Sequence, residues 1–215
     1  MIEFFLAFGL FLAAHSIPAR PAMRNRLVSR LGETNYLILY ALLSLALLLW
    51  LISAAVRAPT ILLWPTALWS YHLALTVMLP ASWLLVGGLA TTNPFSISLN
   101  RGLFRPERPG LVGWVRHPVL WGFALWASVH VIANGDLVAL IMFGGFLLFA
   151  LAGTKILDRR KRRQLGADWL RLQPHGRRWS AAQLLTTFGV GSLLYVAALH
   201  AHPLWGPDVA AVVLS

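Results

Sequence analysis

Six apolar segments run along the chain, divided by polar connections: Ile2 to Ile17, Tyr36 to Val56, Leu68 to Leu89, Val119 to Ile132, Leu137 to Leu157 and Leu184 to Ala201. The pattern predicts an all-α fold, a polytopic membrane helix bundle of about six transmembrane helices. The first and fourth segments are short against the roughly 20 residues of a spanning helix. They are expected to extend into their flanking turns, or to sit where the bilayer thins. Pro18 marks the end of the first segment and Pro80 a kink in the third. Met1 to Ala14 lacks the positive start of a secretory signal, since it carries only Glu3 ahead of Arg20, so it reads as a retained first helix.

Composition supports the same class. Hydrophobic residues make up 58% of the 215, charged residues only 12%, and the mean hydropathy is +0.69; a soluble domain is usually about 25% charged. The net charge of +11 does not indicate nucleic acid, because the basic residues separate apolar runs instead of decorating a polar scaffold. All but Arg57 of the 18 Lys and Arg residues fall on alternating connections. They are Arg20, Arg24, Arg26 and Arg30; then Arg101, Arg105, Arg108 and Arg116; then Lys155 through Arg178. Positive charge stays on the cytoplasmic side, so both termini are expected outside, with Asn134-Gly135-Asp136 as a tight outer turn. The domain reading is a membrane domain over 1–182, then a last transmembrane helix and short outer tail over 183–215. The sequence has no cysteine, which excludes disulfides, iron–sulfur ligation and thiol nucleophiles.

The acidic residues Glu3, Glu33, Glu107, Asp136, Asp158, Asp168 and Asp208 all read as helix-end or loop positions, which argues against an intramembrane carboxylate relay. Histidine is the polar exception. His15, His72 and His130 lie within apolar segments, where neutral imidazole can hold haem iron without adding charge; each can equally be bonded to a neighbouring backbone group. Phe4, Phe8, Phe11 and His15 are spaced to share a helix face, as are Phe123, Trp126 and His130. Such faces could flank a porphyrin or serve plain helix packing. At 1.5 Å per residue, His15 lies about 18 Å beyond Glu3, His130 about 9 Å inside Asp136 and His72 about 10 Å beyond Pro65. Height pairs His72 with His130. Side chains tilt toward their own helix N-terminus, however, which makes His15 and His130 converge.

Arg116-His117-Pro118 opens the fourth segment, with proline suited to the first helical position. The basic pair is a cytoplasmic-face candidate for a phosphate or cofactor, or an anchor of the span. Asp158 to Gln173 reads as a basic extension of the fifth helix, with Leu165, Trp169 and Leu172 available to the membrane surface and its charge to anionic lipid.

His15-Ser16, Arg116-His117-Pro118, His130, and Asp158-Arg159-Arg160 before Leu165-Gly166 together resemble the NnrU family. That family comprises bacterial membrane proteins associated with nitrite and nitric oxide metabolism in denitrifiers, and is similar to plant zeta-carotene isomerase. The resemblance covers roughly Met1 to Ala182. It implies haem b, with His15 and His130 as the iron ligands and His72 in reserve, in a multi-pass protein of the bacterial inner membrane. The implied role is haem-dependent isomerisation of an apolar, isoprenoid-like substrate, or support of nitrite and nitric oxide metabolism. Ala127 stands where the plant motif has a cysteine, so an exchange of histidine for thiolate finds no cysteine there. Arg116-His117-Pro118 with Gly122 is also similar to the isoprenylcysteine carboxyl methyltransferases, which bind S-adenosylmethionine at the cytoplasmic face. In place of their paired glutamates stands Asp158-Arg159-Arg160. A non-catalytic membrane partner is the third reading. The expected partner in every case is the lipid bilayer, not nucleic acid.

Overall fold

The computed structural model describes residues 1–17, 20–204 and 206–214; the expected helix end at Pro18 lies outside them. Among the described residues the fold is all-helical, with one isolated bridge, Leu62 to Asp136, and no strand. Four helical stretches are long and apolar enough to cross a membrane: Glu33–Arg57, Leu68–Ala90, Leu137–Leu165 and Ala181–Leu204. Ile2–Ser16 and Pro118–Asn134 are apolar but shorter. All six expected segments are therefore helices, and the two judged short are the two short ones. The chain divides into two compact units, Met1–Leu62 with Asp136–Val138, and Leu63–Gly135 with Ala139–Ser215.

In the first unit, α1 (Ile2–Ser16) packs on α3 (Glu33–Arg57), with α2 (Pro21–Leu31) between them in sequence. Glu3 accepts hydrogen bonds from Trp50 Nε1 at 3.1 Å and Arg57 at 2.6 Å, while the Tyr40 hydroxyl reaches the His15 carbonyl at 3.5 Å. These two ends of contact make α1 and α3 antiparallel. Phe4 and Ala7 on α1, and Leu51 and Ala54 on α3, are buried. The rest of α3 presents Leu37, Ile38, Leu42, Leu45 and Leu49 outward, a surface that water would penalise and lipid does not. Hidden in the first basic connection, α2 starts with proline at its first turn and ends at Gly32, whose φ of 77° favours glycine. Arg24 pairs there with Glu33 at 3.1 Å.

The second unit is built around α4 (Leu68–Ala90), which continues through Pro80. Small residues let its neighbours approach closely, as membrane helix contacts require. A Cβ on Gly122 of α5 (Pro118–Asn134) would lie 2.9 Å from the Ala81 carbonyl oxygen, and one on Gly88 would lie 2.8 Å from Pro118. On another side of α4, Gly87 faces Thr187 and Gly191 faces Trp83, whose Nε1 donates to Ser192 at 2.9 Å. The last long stretch comprises α8 (Ala181–Leu184), a π-helical segment Leu185–Val190 and α9 (Gly191–Ala201). Ser180 and Gln183 form a reciprocal capping box at its start. The Asn134-Gly135 turn forms as expected, with Gly135 left-handed at φ 69°. A Cβ at Gly135 would collide with the Trp64 carbonyl.

Two expectations for Asp158 to Gln173 need correction. The fifth-segment helix α6 (Leu137–Leu165) runs on until Gly166, at φ 52°, breaks it before the short α7 (Asp168–Arg171), so Asp158 lies inside a helix, not at its end. Leu165, Trp169 and Leu172 turn toward protein: they pack with Phe95, Val112 and Phe104 in a small core, where Trp169 is buried edge-on to Phe95 at 5.1 Å and so is not available to a membrane surface. A buried cluster hides more apolar area than a half-immersed face does.

Candidate functional site

The best-organised polar cluster gathers at the start of α5. Pro118 occupies the first turn and His117 is the N-cap, at φ −119° and ψ 61°; proline excludes the helical conformation from the residue before it. The preceding backbone is fixed as well. Buried Asn93 donates to the Arg116 carbonyl at 2.9 Å and accepts from Phe95 N at 2.9 Å in a local turn.

Asp158 reaches this point from α6. Its Oδ1 accepts from His117 Nε2 at 3.0 Å, and its Oδ2 accepts from Arg116 at 3.0 Å. Arg116 also donates to Gln173 at 3.3 Å and lies 5.3 Å from the Trp169 ring centroid. A carboxylate can only accept, so Nε2 carries the proton and Nδ1 keeps the lone pair. His117 is only 5% exposed, and among the described residues its Nδ1 has no hydrogen-bond partner. Burial pushes the His117 pKa below its ordinary value; the hydrogen bond and charge of Asp158 push it upward, Arg116 pushes it downward, and the net shift is down. Near neutral pH the imidazole is neutral. Beside it opens a groove of about 380 Å³ lined by Leu84, Trp114, Val115, Arg116, His117, Trp121 and Leu125.

His130 lies toward the other end of α5. Its Nδ1 bonds the Trp126 carbonyl at 2.7 Å, and since a carbonyl cannot donate, Nδ1 carries the proton and Nε2 the lone pair. Its ring packs against Trp126 at 5.0 Å and Phe143 of α6 at 4.8 Å. His15, in the first unit, repeats the arrangement, with Nδ1 on the Phe11 carbonyl at 2.8 Å and ring centroids 4.1 Å apart. The expected aromatic faces form: Phe4 is fully buried, and Trp126 stacks near Phe146 at 6.0 Å. His72 is exposed on α4. Ala127 is fully buried.

The sequence reading passed over His202, and it took Asp158 as part of a motif without its link to Arg116 and His117. Asp158 entered the sequence reading only through the Asp158-Arg159-Arg160 motif, because the basic run that follows it hides its partnership with the start of α5. His202 lies with its ring 6.3 Å from His130; its place at the C-terminal end of the last segment was the available signal. Among the described residues no three His, Asp or Glu side chains gather to hold a metal ion.

Fold and site together define an all-helical membrane protein with a buried imidazole–carboxylate pair at the start of one helix. The chain belongs to the NnrU family, whose model, described as NnrU protein, matches residues 3–209 and so takes in the last long helix. No curated protein and no solved structure matches it.

Proposed function

We propose that this NnrU protein binds haem b in the bacterial inner membrane, with His15 and His130 as the iron ligands. The observation that carries this reading is the shared state of the two imidazoles. Each donates Nδ1–H to a carbonyl one helical turn back, which fixes the tautomer, raises the basicity of Nε2 and leaves that nitrogen for a metal. Each imidazole taken by itself thus has the chemistry of an iron ligand. Bound there, haem would supply redox and Lewis-acid chemistry, directed at isomerisation of an apolar, isoprenoid-like substrate or at support of nitrite and nitric oxide metabolism. The chain's own part is to hold the iron from two imidazoles and to surround it with aromatic rings that exclude water. The purified protein should show a haem absorption band at one haem per chain. A colourless preparation from haem-sufficient cells overturns the reading.

The same proposal has six helices crossing, α1 and α5 among them. At 1.5 Å per residue these rise about 22 and 25 Å, which a locally thinned bilayer accommodates. Tags at either terminus should be reached from outside the cell membrane and the Arg159 to Arg163 segment only from inside; cytoplasmic labelling of Asn134-Gly135 contradicts this topology. A second reading, a methyltransferase using S-adenosylmethionine, draws support from the Arg116–His117–Asp158 cluster. It expects a colourless protein that binds that cofactor at the start of α5.

A further inference from the structure

Where α4 ends and the last long stretch begins, a recess of about 220 Å³ opens, its polar wall made of Thr91, Thr92, Arg105, Arg108, Ser180 and Gln183. Every polar side chain in that wall can donate, and two have spent an acceptor. Ser180 Oγ accepts from Gln183 N at 3.1 Å and Gln183 Oε1 accepts from Ser180 N at 2.8 Å, which leaves the Ser180 hydroxyl proton and the Gln183 amide N–H groups to give. Neither Arg105 nor Arg108 pairs with a carboxylate among the described residues. Glu107 lies between them in the chain but does not line the recess. We propose that this recess binds the phosphate of a membrane phosphomonoester lipid, of the phosphatidic acid class, with Arg105 and Arg108 as its countercharges.

The chemistry of the wall selects the anion. Near pH 7 a phosphomonoester carries a charge of about −1.5 to −2 and three strong acceptor oxygens, which match two guanidinium groups among neutral donors. The negative end of α4 does not oppose it. Ser98 donates to the Thr91 carbonyl at 2.8 Å, Asn100 to the Ala90 carbonyl at 2.8 Å and Leu99 N to the Leu89 carbonyl at 3.0 Å, so the last carbonyls of that helix already have partners. Position selects a lipid as the source. The volume is below the roughly 300–1,000 Å³ of whole small-molecule sites, enough for a head with its chains outside. Ile97, Leu99 and Leu103 are exposed on the connection that carries Arg101, Arg105 and Arg108, and Leu103, 86% exposed, also lines the recess. Apolar side chains interleaved with arginine suit the boundary between acyl chains and headgroups.

The test is native mass spectrometry of the full chain in detergent, titrated with phosphatidic acid, phosphatidylglycerol and phosphatidylcholine of identical acyl chains. Phosphatidic acid should bind about tenfold more tightly than phosphatidylcholine, the worth of one hydrogen bond to a charged group, with phosphatidylglycerol between them. Arg105→Gln and Arg108→Gln should each weaken phosphatidic acid binding roughly three- to tenfold, and Thr92→Val, which removes a hydroxyl at nearly constant shape, by about twofold. Arg101→Gln, on the same connection but outside the wall, should leave binding unchanged. The inference is independent of the haem reading, and all four variants should match the unmodified protein in haem content. Equal binding of phosphatidic acid and phosphatidylcholine overturns it, and phosphatidylglycerol bound as tightly as phosphatidic acid overturns the monoester assignment. A loss in Arg101→Gln as large as in Arg105→Gln replaces the site by diffuse attraction to a basic surface. Displacement of phosphatidic acid by an equal concentration of inorganic phosphate also overturns it, by assigning the recess to a dissolved anion.

Discussion

His117 and His130 stand toward opposite ends of one helix and present opposite nitrogens. Asp158 takes the Nε2 proton of His117 and leaves Nδ1 as the lone pair; the Trp126 carbonyl takes the Nδ1 proton of His130 and leaves Nε2. The first imidazole is therefore set by a residue from another helix, the second by its own backbone. Residue type is the same, and the partner decides which atom is available for chemistry. An imidazole positioned by its own helix can be carried by that helix alone. One positioned by a distant carboxylate exists only when α5 and α6 are packed together.

The largest effect that separates the two ends is on haem. If haem is bound as proposed, His130→Ala and His15→Ala should each lose most of it, measured as haem per chain, because one of the two proposed ligands is then missing. His117→Ala should retain it. Loss in His72→Ala with retention in His15→Ala would replace the proposed pair by His72 and His130. His202→Ala sharpens the comparison further, since its ring lies 6.3 Å from His130 in the same unit; retention of haem there keeps His15 as the partner.

Packing beneath the two ends gives the next effect. A Cβ on Gly122 would lie 2.9 Å from the Ala81 carbonyl oxygen, whereas one on Gly144 of α6 meets only a Leu140 methyl at 4.0 Å. Gly122→Val should cost about 1–3 kcal/mol or more through overpacking and disturb the start of α5. Gly144→Ala should stabilise by about 0.5–1 kcal/mol, since alanine favours a helix interior where space allows. Thermal unfolding in detergent reads both, and matched losses would mean that α4 and α5 are not in close contact.

The ion cluster comes third. Asp158→Ala leaves Arg116 and His117 without their common acceptor. The carboxylate is 32% exposed, so the cost is about 1–2 kcal/mol, below that of breaking a fully buried pair. Asp158→Asn keeps an oxygen for Nε2–H and should recover part of the loss. No difference between the two variants would remove the hydrogen bond from the account.

Much of the helical plan was legible in the sequence, because spans announce themselves by apolar length and by the basic residues between them. The Asn134-Gly135 turn and Pro118 at the first turn of α5 were legible for local reasons, a left-handed glycine and a fixed proline φ. The polar cluster was not. Asp158 looks like the start of a charged tail until α6 is seen to carry it back to Arg116 and His117, and contacts separated this far along the chain leave no periodic trace. Trp169 was misread for the same reason: a lone tryptophan in a basic stretch resembles a membrane anchor, and its partners Phe95 and Val112 lie in a connection without regular pattern.

The smallest expected effect concerns pH and bears on His117 alone. Its pKa in the fold is lowered, with burial as the largest cause and Asp158 opposing it. Between that lowered value and the unfolded value of about 6.5, the unfolded chain binds the proton more readily than the folded chain does, so stability rises with pH across this window. The contribution is complete above about pH 6.5 and falls away as the medium is acidified through the folded pKa. Unfolding temperature in detergent should therefore drop between pH 7.5 and 5.5, and His117→Phe should show a shallower drop, because phenylalanine has no proton to take up. Asp158→Ala should make the drop steeper: the groups facing the ring are Asp158 and Arg116, and removing the carboxylate takes away the one that favours protonation. An unchanged pH dependence in His117→Phe would mean that the imidazole is solvated in the membrane-bound protein, and the contrast between the two ends of α5 would then rest on His130 alone.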